Sequence, residues 1–312
     1  MSERADEGPL PAPGEGHCGS FPRSSVDFGP AATAAIEVRS LSFAIEDRSI
    51  LHDVHFAVAA GEHVAIVGPN GAGKTTLVKC LDGLVSGWQG EISVLGRPLQ
   101  DYPRRELARR IGYVPQADSR AWPFTVEQFV LMGRYPYFSP FRAIAAEDRE
   151  AVHDALERTG TASFARRLMG TLSSGERQKV LIAAALAQGA EILLLDEPTT
   201  FLDYRHQAEI RRLLRATNRD RGVTIVAVTH DVSAAALDAD RVLALCGGRV
   251  AFHGLPGELM NTTTLRAVFN TELLLVPHPR AAAAVIVPDT PGDDHRCPSA
   301  HKAKGTPGEG HL

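Results

Sequence analysis

The apolar positions of this chain fall into two patterns. Continuous short runs, His63 to Val67, Ile192 to Leu195 and Val223 to Val228 with only Thr224 interrupting, read as strands covered on both faces, as in a parallel sheet. Ile36 to Phe43 and Ile50 to Val58 alternate instead, which predicts strands with one buried face. Helical stripes fall between the runs. Thr76 to Leu84 and Lys179 to Gln188 read as helices, and Tyr204 to Arg219 places Ile210, Leu213, Leu214 and Thr217 on one face. Its arginines, Arg211, Arg212, Arg215 and Arg219, lie elsewhere and predict a solvated face. Alternating strand and helix argue for an α/β core, with the early strands forming a smaller β-rich layer.

From about residue 117 to 171 the pattern changes. Thr125 to Met132, Glu147 to Thr159 and Ser163 to Met169 read as helical with no buried strand between them, so this stretch is expected to be a helical insert. Within it, Gly133 to Phe141 is aromatic and broken by prolines, which suits either an exposed contact loop or a hinge packing the insert on the core. Residues 1–34 and 289–312, rich in Gly, Pro and polar residues without periodicity, are expected to be disordered tails around one domain of residues 35–288.

With 312 residues, 44 % of them hydrophobic, the chain can bury one large or two modest cores. A formal charge of −4 gives no global electrostatic case for a nucleic-acid partner, and none is expected. No apolar run approaches a membrane span and Met1 to Gly29 lacks the apolar centre of a secretory signal, so a cytoplasmic location is expected. Cys18, Cys80, Cys246 and Cys297 are scattered without a paired spacing, which predicts reduced thiols. His295, Cys297 and His301 sit close together in the tail and read first as incidental rather than as a metal site.

The densest chemistry is Gly68-Pro69-Asn70-Gly71-Ala72-Gly73-Lys74-Thr75, set between a buried strand and a helix. Its glycines allow successive backbone N–H groups to turn inward around a phosphate chain, Lys74 can reach the terminal phosphates, and the Thr75 hydroxyl suits Mg²⁺. The following helix start adds the positive end of its dipole. A second constellation ends the strand Ile192 to Leu195 in two carboxylates. Asp196 suits Mg²⁺ and Glu197 a proton-accepting role toward an attacking water, the alternative being a solvated acidic strand end.

Leu172-Ser173-Ser174-Gly175-Glu176-Arg177-Gln178 precedes the Lys179 helix. Ser173 with Glu176 reads as a capping box, and the same helix tip reads as an anion site; spacing does not choose between them. Gln116 and His230 both follow short apolar strands. In an α/β sheet ligands gather at strand carboxyl ends, so Gln116, Asp196, Glu197 and His230 are expected to converge on whatever Lys74 holds.

Taken in order, Gly68 to Thr75, Gln116, Leu172 to Gln178, Ile192 to Glu197, Phe201-Leu202-Asp203 and His230 resemble the nucleotide-binding subunits of ATP-binding-cassette (ABC) transporters over residues 36–278. They match that family's Walker A loop, Q-loop, signature motif, Walker B strand with catalytic glutamate, D-loop and switch histidine. The resemblance implies an ABC-type P-loop NTPase fold with an antiparallel β subdomain and an α-helical subdomain, acting as an ATPase with ATP and Mg²⁺. It implies ATP held between Gly68 to Thr76 of one subunit and Ser173, Ser174 and Gly175 of the other in a head-to-tail homodimer, with Asp203 also among the nucleotide-binding residues. Glu197 would polarise water, His230 would hold the γ-phosphate, and Thr75, Gln116 and Asp196 would serve Mg²⁺.

Three positions depart from the family pattern. The aromatic that usually stacks on adenine aligns with Ile45, although Phe43 shares its strand face; Ser174 replaces a commoner glycine and Glu176 a commoner glutamine. Gly133-Arg134-Tyr135-Pro136-Tyr137 and Leu202-Asp203-Tyr204-Arg205-His206-Gln207 narrow the resemblance to importers of iron–siderophore complexes, haem and cobalamin. That implies a peripheral protein at the cytoplasmic face of the membrane, docked on permease subunits and served indirectly by an extracytoplasmic binding protein. A soluble non-transport ABC ATPase and a regulatory nucleotide-binding module are the alternatives.

Overall fold

The computed structural model describes residues 34–116, 122–139, 143–279, 281 and 284–288. In chain order the elements are β1 (Ala34–Ile45), β2 (Arg48–Ala59), β3 (His63–Val67), α1 (Lys74–Leu81), β4 (Gln89–Val94), β5 (Arg97–Pro98), α2 (Arg104–Arg110) and β6 (Ile111–Val114). There follow α3 (Val126–Met132), α4 (Ala146–Arg158), α5 (Ser174–Gln188), β7 (Ile192–Asp196), α6 (Tyr204–Arg221) and β8 (Thr224–Val228). The chain continues through α7 (Val232–Asp238), β9 (Arg241–Cys246), β10 (Arg249–Gly254), α8 (Pro256–Leu259), α9 (Thr262–Phe269), β11 (Leu273–Pro277) and β12 (Ala284–Pro288).

A six-stranded sheet in the order β10-β9-β3-β8-β7-β6 forms the core, parallel except for the edge strand β10. Its continuous apolar runs are explained by burial on both faces. Ile192, Leu194, Val226 and Val228 face α1 and the small sheet, whereas Leu193, Leu195, Ile225 and Ala227 face the helices α3 to α6. The small sheet, β2-β1-β4-β5, is antiparallel, and β1 is irregular at Ser40, whose φ is 50°. A third cluster, around Val232, Leu259, Leu265 and Val268, packs α7, α8 and α9 with the β11–β12 hairpin. That hairpin, with its short apolar strands, was not anticipated by the sequence patterns.

Two expectations are corrected. Ser163 to Met169 is not a helix: only the single 3-10 turns Ala162–Phe164 and Met169–Thr171 form there. Its backbone is used elsewhere, since Arg167 O accepts from Val126 N, Ala165 O accepts from Glu127 N and Met169 N donates to Phe124 O, each at 2.9 Å. The segment thus gives carbonyls to the open N-terminus of α3 and keeps only single turns for itself. The arginine face of α6 is only partly solvated. Arg212 and Arg219 are exposed, but Arg211 and Arg215 both pair with Asp238 of α7, whose side chain is 10 % exposed.

The aromatic loop has an exposed side and a packed side among the described residues. Tyr135 is 76 % exposed, while Pro136 is buried and its carbonyl oxygen accepts from Arg105 (2.7 Å) and Arg109. Arg134 is anchored by Asp148 at 3.0 Å and lies over the Tyr137 ring. Cys80 is a free buried thiol. The expected tails, apart from Ala34 in β1, and the His295, Cys297 and His301 group lie outside the described residues. No helix among the described residues is long and apolar enough to cross a membrane.

Candidate active site

The carboxyl ends of β3, β6, β7 and β8 open on one edge of the core sheet, which brings the glycine loop, Gln116, Glu197 and His230 together. The loop leaves β3 at Val67 and enters α1 through Gly73, at φ 93° and without a side-chain cap. Glycine is required there by space as well as angle, because a Cβ would lie 2.8 Å from Leu51 Cδ2 and 3.2 Å from Ile50 O. An uncapped helix start with inward N–H groups is an anion cradle.

Lys74 is 6 % exposed and curls back over this loop, donating to Gly68 O at 2.8 Å and Pro69 O at 2.9 Å. Burial lowers its pKa, opposed by the nearby carboxylates of Glu197 and Asp196. Beside it, Thr75 Oγ1 donates to Asp196 Oδ1 at 3.1 Å. Burial raises the Asp196 pKa, with the Thr75 hydrogen bond acting the other way. Tyr113 on β6 has its hydroxyl pushed up to about 12 chiefly by burial, with the charge of Asp196 acting in the same direction. A hydroxyl and a desolvated carboxylate side by side are a hard-oxygen donor pair that fits Mg²⁺.

Glu197 is the point of convergence. One carboxylate oxygen bonds His230 Nε2 and the other accepts from Gln116 Nε2 at 3.4 Å. Its backbone sits at φ 51°, uncommon for a residue with a Cβ, and is held there because Glu197 N donates to Val228 O at 3.1 Å. A cavity of about 950 Å³ is lined by Asn70 to Thr76, Glu197 and His230. Its remaining walls, which the motifs did not indicate, are Arg48, Ser49, Ile50 and His52 of β2 and the Gly247–Gly248 turn. The paired glycines at 247 and 248 were visible as a hairpin signal, but nothing in the sequence tied them to the phosphate loop.

The helix tip at Ser173 is a separate place. Ser173 Oγ accepts from Glu176 N at 3.2 Å and Glu176 Oε2 accepts from Ser173 N at 2.8 Å, so the capping box is formed. That amide bond is the main cause of the lowered Glu176 pKa. Gly175 is buried against the His206 ring, and His206 bonds through N and Nδ1 to Asp203, the N-cap of α6. Ser173 and Ser174 are exposed, and none of Ser173, Ser174, Gly175 or Asp203 lines the cavity. Phe201 and Tyr204, at 85 % and 89 % exposed, flank Asp203.

Comparison with known proteins adds to this geometry. Residues 51–200 match a family model described as ABC transporter. The chain is 45 % identical over 251 residues to the hemin import ATP-binding protein HmuV of Streptomyces coelicolor, covering 80 % of this chain and 86 % of the relative. It is 37 % identical to the iron(3+)-hydroxamate import ATP-binding protein FhuC of Bacillus subtilis, covering 79 % of this chain and 91 % of the relative. Among solved structures, a chain of an inward-facing transporter described as metal-chelate type aligns with TM-score 0.72 at 28 % identity, covering 83 % of this chain and 98 % of the other. A dimeric ATP-binding cassette in a post-hydrolysis state with ADP and Pi aligns with TM-score 0.62 at 28 % identity, covering 71 % and 98 %.

Proposed function

Because this chain belongs to the ABC transporter family and is an ABC-type ATPase, we propose that it hydrolyses ATP as the energy-coupling subunit of an importer for an iron–siderophore complex, haem or cobalamin. The import subunits it resembles work on such cargo by name, and the aromatic Tyr135 loop offers an exposed face for a permease. The observation that carries the mechanism is the grip of His230 and Gln116 on the single carboxylate of Glu197 at the mouth of the phosphate cradle.

On ATP binding, the Lys74 ammonium exchanges the Gly68 and Pro69 carbonyls for phosphate oxygens, a small movement for a side chain already held over the loop. Thr75 and Asp196 would hold Mg²⁺, which would supply charge neutralisation at the phosphates. Glu197 orients and deprotonates the attacking water, and His230 turns from Glu197 toward the γ-phosphate. Ser173, Ser174 and Gly175 approach the γ-phosphate of a second copy, which accounts for a capped helix tip left exposed to solvent. The assembled protein then lies at the cytoplasmic face of the membrane on its permease partners, with an extracytoplasmic binding protein delivering cargo.

Replacing Glu197 by Gln tests this. Hydrolysis is expected to fall by about 10²- to 10⁴-fold, the usual contribution of a positioned base. ATP is expected to hold the variant as a dimer on size-exclusion chromatography. Wild-type turnover in Glu197→Gln would remove the mechanism, and a monomer at saturating ATP would remove the dimer.

A further inference from the structure

The cavity has two ends. Glu197 and His230 with the glycine loop account for the triphosphate, which leaves the opposite wall, Arg48, Ser49, Ile50, His52, Gly247 and Gly248, to face the rest of a nucleotide. That wall is rigid. The Ile50 carbonyl is wedged between two glycines: a Cβ would stand 3.2 Å from it at Gly73 and 2.2 Å at Gly248. His52 N donates to Gly248 O at 2.9 Å, and Ser49 Oγ shares a 3.2 Å hydrogen bond with His52 Nδ1.

Arg48 extends this wall outward. It lies on the same strand face as Ile50, one two-residue repeat, about 7 Å, farther from the phosphate loop. It is exposed and lines the cavity, and its side chain makes no hydrogen bond or ion pair among the described residues. Its cross-strand partner is Ile45, which is 51 % exposed and does not line the cavity; Phe43 is buried in the core. Neither residue on β1 therefore presents a ring to the cavity.

We infer that Arg48 is the base-binding residue of this site, its planar guanidinium stacking on the face of the purine while Ile50 supports the nucleoside beneath it. A guanidinium is weakly hydrated and flat, so it stacks on a π-face as an ammonium does not. An unpaired arginine at a fixed distance from the phosphate cradle has the reach and freedom to do so. The base is then held by a cation rather than by an aromatic side chain. This rests on the reading of the cavity as the nucleotide site.

The test separates base from phosphate. By calorimetry on the full chain, Arg48→Ala is expected to weaken ATP about tenfold while leaving the affinity for inorganic tripolyphosphate unchanged. Arg48→Tyr, which restores a flat stacking surface, is expected to recover most of the loss, and Arg48→Lys to recover little. Equal loss of ATP and tripolyphosphate in Arg48→Ala, full rescue by Lys, or unaltered ATP affinity would overturn the assignment, since the residue would then act as a phosphate charge or not at all. Lys74→Ala is the control for the underlying reading and is expected to lose both ligands. If it loses neither, the cavity itself is misread, whatever Arg48 does.

Discussion

The phosphate cradle and the Ser173 helix tip bear opposite electrostatics, although each is a helix start rich in small residues. At the cradle Lys74 and Asp196 are dry, each 6 % exposed. Burial raises Asp196, pushes Asp82 at the far end of α1 up to about 7, and lowers Lys74. At the tip the acids are wet and bonded to helix amides, so Glu176 and Asp203 are both held below their ordinary values. A desolvated, internally paired site is poised to exchange its own contacts for a ligand's. A solvated tip whose side chains already satisfy its first amides has no such internal tension, and the phosphate of a second copy is the partner we propose for it.

The sharpest way to break this contrast is Ser173→Asp. Aspartate caps a helix about as well as serine, so folding stability is expected to be retained. A carboxylate facing a γ-phosphate costs several kcal/mol, so ATP turnover is expected to drop by at least about a hundredfold. Normal turnover with a normal melting curve would leave the tip as a cap and nothing more.

Gly175→Ala probes how the tip is built. A Cβ there would lie 2.4 Å from the His206 ring, and the expected loss is about 2–3 kcal/mol in denaturant unfolding. His206→Ala in the same chain is expected to recover part of it by opening the space. If the double variant is no more stable than Gly175→Ala alone, the tip and the start of α6 are not in contact in solution.

The smallest effect concerns the dry side. Asp82 in the folded state titrates near 7 rather than 3.8, so the folded chain binds the extra proton between those values. Its contribution to stability is present below the ordinary carboxylate pKa and is lost as pH rises through about 7. His63 and His253, buried and lowered to about 4, act with the opposite sign, since their neutral forms are favoured and stability falls as pH drops from 6.5 toward 4. Comparing wild type with Asp82→Asn at each pH isolates the aspartate. The wild type is expected to lose more stability than the variant as pH rises from 4 to 8. Parallel stability profiles would mean that Asp82 is hydrated.

Much of the fold was legible because burial on two faces writes itself as an unbroken apolar run: His63 to Val67, Ile192 to Leu195 and Val223 to Val228 all became central strands. Ser163 to Met169 failed for the complementary reason. Its local pattern favoured a helix, but the unpaired amides of Val126 and Glu127 took its carbonyls. The paired arginines of α6 failed likewise, since no spacing within one helix reveals an aspartate on the next.

For the site, what the sequence determined by itself was the chemistry of each strand end: a glycine cradle with a lysine and a threonine, two adjacent carboxylates, a glutamine and a histidine, each placed where a strand releases its chain. Such features are local, and a few residues suffice to write them. What only the tertiary structure decided was which of them meet. It joined Gln116 and His230 on Glu197, brought Arg48 and Ile50 across from the small sheet to wall the cavity, and left Ser173 outside it. Those relations depend on register and packing between elements far apart in the chain, and no short stretch of residues carries that information.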